Sequence, residues 1–197
     1  MGKRSIREVQ REKTRRRKRR SKLIGAGIGI IVLAVAGFFG WSTLRPSIGE
    51  KIPIMANAGK HVEPGSDPGP FNSNPPTSGR HYGQEYDAGF YDENSQQAQA
   101  LYPEGYLGHN LEHGYVIFWY NCDLLDESGC ETLKDQIQGV MDKYSGFKVI
   151  AFPSDSLDAP LVMASWGQLL RFETFDERLA SQFVKVNRNR APEPNAE

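Results

Sequence analysis

Three of the four histidines in this chain fall within two compact words. The first is Asn74-Pro75-Pro76-Thr77-Ser78-Gly79-Arg80-His81-Tyr82 and the second is His109-Asn110-Leu111-Glu112-His113-Gly114. Imidazole is a good ligand for zinc, copper, iron or nickel, so what these rings can do depends on where the backbone puts them. On a helical turn, residues i and i+4 share a face about 6 Å apart. His109 and His113 could then converge on one ion, with His81 as a third ligand. On an extended strand they would stand about 13 Å apart and could not. The metal reading therefore requires a turn or short helix over residues 109–113, from which Gly114 releases the chain. Glu112 is expected one shell further out, orienting an imidazole, and copper or zinc is the expected ion. His61 lies in a Pro- and Gly-rich stretch and reads as solvated.

Other readings stand beside this one. The run His109-x-x-Glu112-His113 spells the inverted zinc-protease signature, with Glu112 as general base. Only five residues separate Gly108 from Gly114, however, whereas those enzymes set the motif in a long helix. The same side chains could be purely structural: histidine can satisfy loop carbonyls, and Glu112, Asn74 and Thr77 can cap turns. The residues lean away from an enzyme.

Cys122 and Cys130 are the only cysteines. Eight residues apart in an oxidising compartment, they are expected to form a disulfide. Asp123, Asp126, Glu127 and Glu131 surround them and oppose a thiolate, which disfavours a redox pair or thiolate ligands. Tyr82, Tyr86, Tyr91, Tyr102 and Tyr106 crowd the preceding stretch. They could fill a small core, or they could dock a membrane-protein partner as part of a non-catalytic interaction subunit. Met163 reads as core rather than as a soft copper ligand.

The elements that must position these residues are legible mainly after residue 114. Residues 115–120 (YVIFWY) form a continuous β-branched and aromatic run, expected as a strand buried on both faces. Residues 130–144 place Leu133, Ile137, Val140, Met141 and Tyr144 at helical spacing, and Ser145-Gly146 ends that helix. Residues 148–152 read as a second strand, stopped by Pro153. Residues 161–172 read as a hairpin turning at Trp166-Gly167-Gln168, and residues 176–186 as an amphipathic helix. The expected fold is therefore α/β (α+β): a mixed β-sheet with two packed helices, partly thioredoxin-like in order. Residues 71–108 are expected as long loops with short strands or turns.

Taken together, the two histidine words resemble the bacterial family of domain of unknown function 3105 (DUF3105). That family pairs an N-P-P-T-S-G-x-H-Y stretch with an H-x-L-E-H-G stretch leading into a strand. A later tryptophan–glycine turn is matched here by Ser165-Trp166-Gly167. The resemblance runs from about residue 74 to 183. Arg80 stands where a proline is common, which bears on the local turn only. The resemblance implies little about activity, so any function must be argued from the residues.

Charge and hydropathy set the context. Residues 1–22 carry 12 Lys/Arg against 2 Glu, and residues 23–44 (LIGAGIGIIVLAVAGFFGWSTL) carry no charge. As a helix, 22 residues span roughly 33 Å, enough for a bilayer core. The expected organisation is a basic cytoplasmic tail over 1–22 and a single transmembrane helix over 23–44, acting as an uncleaved signal anchor. A Pro/Gly-rich linker over 45–70, an extracytoplasmic domain over 71–190 and a flexible tail over 191–197 follow. Flanking positive charge stays inside. A cleaved signal peptide would have to use Ala56-Asn57-Ala58, well past the apolar run and beyond Pro53. Residues 23–197 carry 12 basic and 22 acidic side chains. An acidic outer domain repels nucleic acid, so nucleic acid is excluded as a partner, and the basic tail is assigned to anionic lipid.

Overall fold

The computed structural model describes residues 48–195. The basic tail and transmembrane helix expected over 1–44 lie outside the described residues. Among those described, no helix is long and apolar enough to cross a membrane.

The strand β5 (Val116–Tyr120) is the spine of the domain, and all five of its residues are buried. It pairs in parallel with β6 (Val149–Pro153) and antiparallel with β7 (Leu161–Ser165). β7 turns at Trp166-Gly167 into β8 (Gln168–Phe172). The φ of +67° at Gly167 is one that L side chains rarely adopt. Two short strands complete the edges: β1 (Glu50–Lys51) on β8 and β4 (Gly89–Phe90) on β6. The sheet order is β1-β8-β7-β5-β6-β4.

Strand alternation sends side chains to two cores. Val116, Phe118 and Tyr120 face one, against α2 (Glu127–Lys143) and α3 (Glu177–Asn187). Ile117 and Trp119 face the other, against α1 (Glu104–Glu112). Caps fix the starts of α2 and α3. The Asp126 carboxylate accepts from Gly129 N at 2.7 Å, and that of Asp176 accepts from Leu179 N at 2.9 Å. α2 thus begins three residues before the expected 130, while α3 begins within one residue of the expected 176.

The mixed sheet and packed helices match the α+β expectation, with three differences. A third helix, α1, covers the second face. The strand–helix–strand–hairpin–helix run from β5 to α3 is the centre of a larger sheet whose edges come from the N-terminal half, and a thioredoxin-like order is not supported. The stretch expected as a free linker over 45–70 is, from residue 48 onward, tied into the domain. β1 joins the main sheet, Ala58 is buried, and β2 (His61–Val62) pairs in parallel with β3 (His81–Tyr82), placing His61 opposite His81. Two-residue strands held by backbone bonds leave no periodicity to read. The C-terminal tail is also held as far as residue 195: Glu193 N donates to Glu112 O at 3.1 Å and Lys148 Nζ to Pro194 O at 2.8 Å.

Cys122 and Cys130 form a disulfide, Cα to Cα 5.2 Å, joining the 3-10 turn after β5 to the first turn of α2. A loop of this length is worth about 2–3 kcal/mol in the chain-entropy model. Replacing both cysteines with serine is expected to lower the melting temperature by about 5–10 °C while leaving metal stoichiometry unchanged. Calorimetry on the two forms checks this; equal melting temperatures would contradict it.

Candidate metal centre

The second histidine word is helical. α1 ends after Glu112, with His113 as its C-cap. Gly114 follows at φ +84°, and Gly114 N bonds to Leu111 O while Tyr115 N bonds to Asn110 O, both at 3.0 Å. This is a Schellman close, and it turns the chain straight into β5. The helix also lies unusually near β3. A Cβ on Gly108 would stand 2.7 Å from His81 Cβ, and one on Gly105 2.4 Å from the Tyr82 ring. These two glycines let α1 reach the strand that carries His81.

The first word builds the other wall. Asn72 Oδ1 accepts from Thr77 N at 3.1 Å and from Ser78 N at 3.0 Å, and Ser78 Oγ accepts from Met55 N at 3.1 Å. This folded loop delivers His81, which is completely buried. His81 Nδ1 donates to the Gly79 carbonyl at 3.0 Å, and its Nε2 meets Glu112 Oε2 at 2.9 Å. Both partners are acceptors, whereas a neutral ring carries one N–H. A ring that donates from Nδ1 turns its Nε2 lone pair toward Glu112 and the neighbouring donor atoms.

Four residues gather here: His61, His81, His109 and Glu112 each offer a donor atom, and these atoms all lie within 4.8 Å of one another. His61 Nε2 is 3.7 Å from Glu112 Oε2. The His61, His81 and His109 ring centroids are mutually 5.0, 5.1 and 5.4 Å apart. His109 Nδ1 is buried without a hydrogen-bond partner. Four ligands on one tetrahedral ion at 2.0–2.1 Å sit roughly 3.3 Å apart, so the set would contract by up to about 1.5 Å around a bound ion. The residues fit a metal, and the Gly79 carbonyl already fixes His81 with Nε2 as its ligand nitrogen.

Burial, then the neighbouring His113, His81 and His61 rings, push the His109 ring down to about 4. It is therefore neutral, as a ligand must be, across the physiological range. In the metal-free chain the same shift sets a stability slope. Above pH 6.5 the ring is neutral folded and unfolded and contributes nothing. As pH falls from 6.5 to 4 the unfolded chain takes up a proton that the folded chain refuses, and stability drops by up to about 3 kcal/mol. Urea titrations of the chelator-treated protein check this. The wild-type slope over that window is expected to be steeper than that of His109→Asn, and superimposable slopes would contradict it.

His113 takes a different partner. Its ring lies beside that of His109, centroids 4.3 Å apart, as the i, i+4 spacing requires. Its Nδ1, however, bonds to Glu85 Oε2 at 2.8 Å, and its Nε2 faces Glu193 Oε2 at 4.0 Å. Asn110 holds the Glu85 loop in place by bonding both N and O of Tyr86, at 3.1 and 2.8 Å. His113 thus stands outside the four-residue set, Glu112 enters it with its own oxygen, and His61 joins from a stretch that reads as linker. The only sequence signal for His61 is the short Lys60-His61-Val62 run between the turn residues Asn57-Ala58-Gly59 and Pro64-Gly65. The inverted-protease geometry would need His109 and His113 on one ion with Glu112 free. Here Glu112 is tied to His81 and His113 to Glu85.

The remaining candidates settle elsewhere. Met163 lies in the core on the opposite face of the sheet. Glu93, Cys122 and Cys130 also lie within 4.8 Å of one another, but both sulfurs are spent in the disulfide and Glu93 pairs with Lys134 at 2.9 Å. Tyr86 stacks on Tyr106 at 4.6 Å, and Tyr82 packs edge-on to Tyr106 at 4.8 Å. Burial raises the phenols of Tyr82, Tyr86 and Tyr91. Tyr82, Tyr86, Tyr91 and Tyr106 thus build a packed aromatic layer, whereas Tyr102 is 36% exposed.

No curated protein and no solved structure matches the chain. The model of the family described as "Protein of unknown function (DUF3105)" matches residues 65–197. That stretch holds His81, His109 and Glu112 and leaves His61 outside. With well over half of its length matched, both histidine words included, the chain belongs to the DUF3105 family.

Proposed function

We propose that this chain is a membrane-anchored, extracytoplasmic metal-binding protein holding one copper or zinc ion between His61, His81, His109 and Glu112. Metal handling, or the maturation of an envelope metalloprotein, is the role this site serves. The observation that carries the reading is the meeting of four donor atoms within 4.8 Å, three of them on buried side chains, beside a buried imidazole nitrogen with no partner. An unpaired buried polar atom costs about 1–3 kcal/mol, and a metal bond removes that cost. A set of three nitrogens and one oxygen, without sulfur, suits the divalent ions Zn(II) and Cu(II) better than Cu(I). The location rests on the uncharged run over 23–44 behind a strongly basic tail, and a disulfide accords with an oxidising compartment.

Calorimetric titration of the full-length chain with Zn(II) and with Cu(II), each after chelator treatment, tests the reading. One equivalent bound per chain is expected. Binding no tighter than to an unrelated acidic protein would end it.

A further inference from the structure

His61 differs from the other three donors in the features that govern exchange. His81, His109 and Glu112 are buried on a strand and a helix locked against each other. The His61 side chain is 52% exposed. It stands on a two-residue strand between turns closed by Lys60 N to Asn57 O and Ser66 N to Glu63 O, each 3.1 Å. Its 3.7 Å approach to Glu112 is looser than the 2.9 Å contact of His81 with the same oxygen. Outside it lies a surface cavity of about 250 Å³, lined in part by His61, Glu63 and Gly83. His61 also precedes the family-matched residues 65–197, which supply the other three donors.

Resting on the metal reading above, we propose that His61 is a detachable fourth ligand that closes the centre on its solvent side. The ion enters and leaves through that face by exchange with an incoming nitrogen or oxygen donor. With His61 bound, four protein ligands close the site, the arrangement of a holding site. With His61 released, three protein ligands leave one position open, the arrangement that admits an outside ligand. In the exchange the metal–His61 bond breaks and the lone pair of the incoming donor forms the new bond. His61 departs as a neutral ring, and neither the ion nor the protein changes oxidation state. The cavity beside His61 is where the incoming group sits. Its chemical class is an imidazole or carboxylate side chain of a metal acceptor, since only such donors replace His61 without changing the character of the site.

The test uses the full-length chain loaded with one equivalent of Zn(II) and mixed with excess chromophoric chelator. His61→Ala is expected to bind one equivalent and to release it at least about tenfold faster than wild type. In the Co(II)-loaded His61→Ala chain, added imidazole is expected to restore the wild-type visible spectrum by filling the vacated position. If His61→Ala binds one equivalent but releases it at the wild-type rate, or if imidazole leaves its spectrum unchanged, the detachable-ligand proposal fails while the metal site stands. If the wild-type chain takes up no ion, the metal reading fails and this proposal with it.

Discussion

Replacing His109 with alanine is expected to lower the zinc affinity of the full-length chain by at least about a hundred-fold. Loss of a residue that merely supports a ligand costs 10–100-fold, and His109 is placed as a ligand. It is neutral because burial holds its ring at about 4, and its Nδ1 has no competing partner. His113→Ala makes the informative comparison. It is only four residues away and in ring contact with His109, yet its Nδ1 is engaged by Glu85 at 2.8 Å. Its replacement is expected to change affinity by less than about tenfold. Competition titrations against a zinc indicator measure both. Equal losses in the two variants would place His113 in the centre and overturn the four-residue set.

The second large effect comes from a residue with no chemistry. Gly108→Val is expected to destabilise the domain by about 2–3 kcal/mol and to abolish tight metal binding as well. Even a single methyl at this position would stand 2.7 Å from His81 Cβ, so the branched side chain must push α1 away from β3. The separation between His109 and Glu112 on one side and His81 on the other depends on that contact. Gly139 on α2 is the control: nothing lies within 4 Å of its added Cβ. There Gly139→Ala is expected to stabilise by about 0.5–1 kcal/mol through helix propensity alone. Thermal denaturation of both variants separates the contributions. A Gly108→Val chain with wild-type stability and zinc affinity would show that close approach of α1 is not what builds the centre.

What could be read from residues alone divides along physical lines. The run VIFWY announces a strand because five consecutive β-branched or aromatic residues suit no exposed element, and all five are buried. Leu133, Ile137, Val140 and Met141 announce α2 because their spacing fills one helical face, and that face is the buried one. Trp166-Gly167 marks a hairpin because the turn needs the backbone freedom of glycine. The N-terminal half offers no such signal. β1 to β4 are two residues each, shorter than any period. α1 carries two glycines that lower its intrinsic propensity, and it forms because Leu107 and Leu111 are wanted by the second face of the sheet. His61 reaches the cluster only through the pairing of β2 with β3, a long-range fact with no local trace. Glu85 is hidden in the same way, because its loop is held by Asn110, which bonds Tyr86 from 24 residues further along the chain.

X-ray absorption on the full-length chain loaded with one equivalent of Zn(II) reads the ligand set itself. The expected spectrum has a first shell of nitrogen and oxygen only, near 2.0 Å, with the outer-shell scattering of three imidazoles in wild type and of two in His109→Ala. A sulfur shell near 2.3 Å, or an imidazole count unchanged by removing His109, would contradict it.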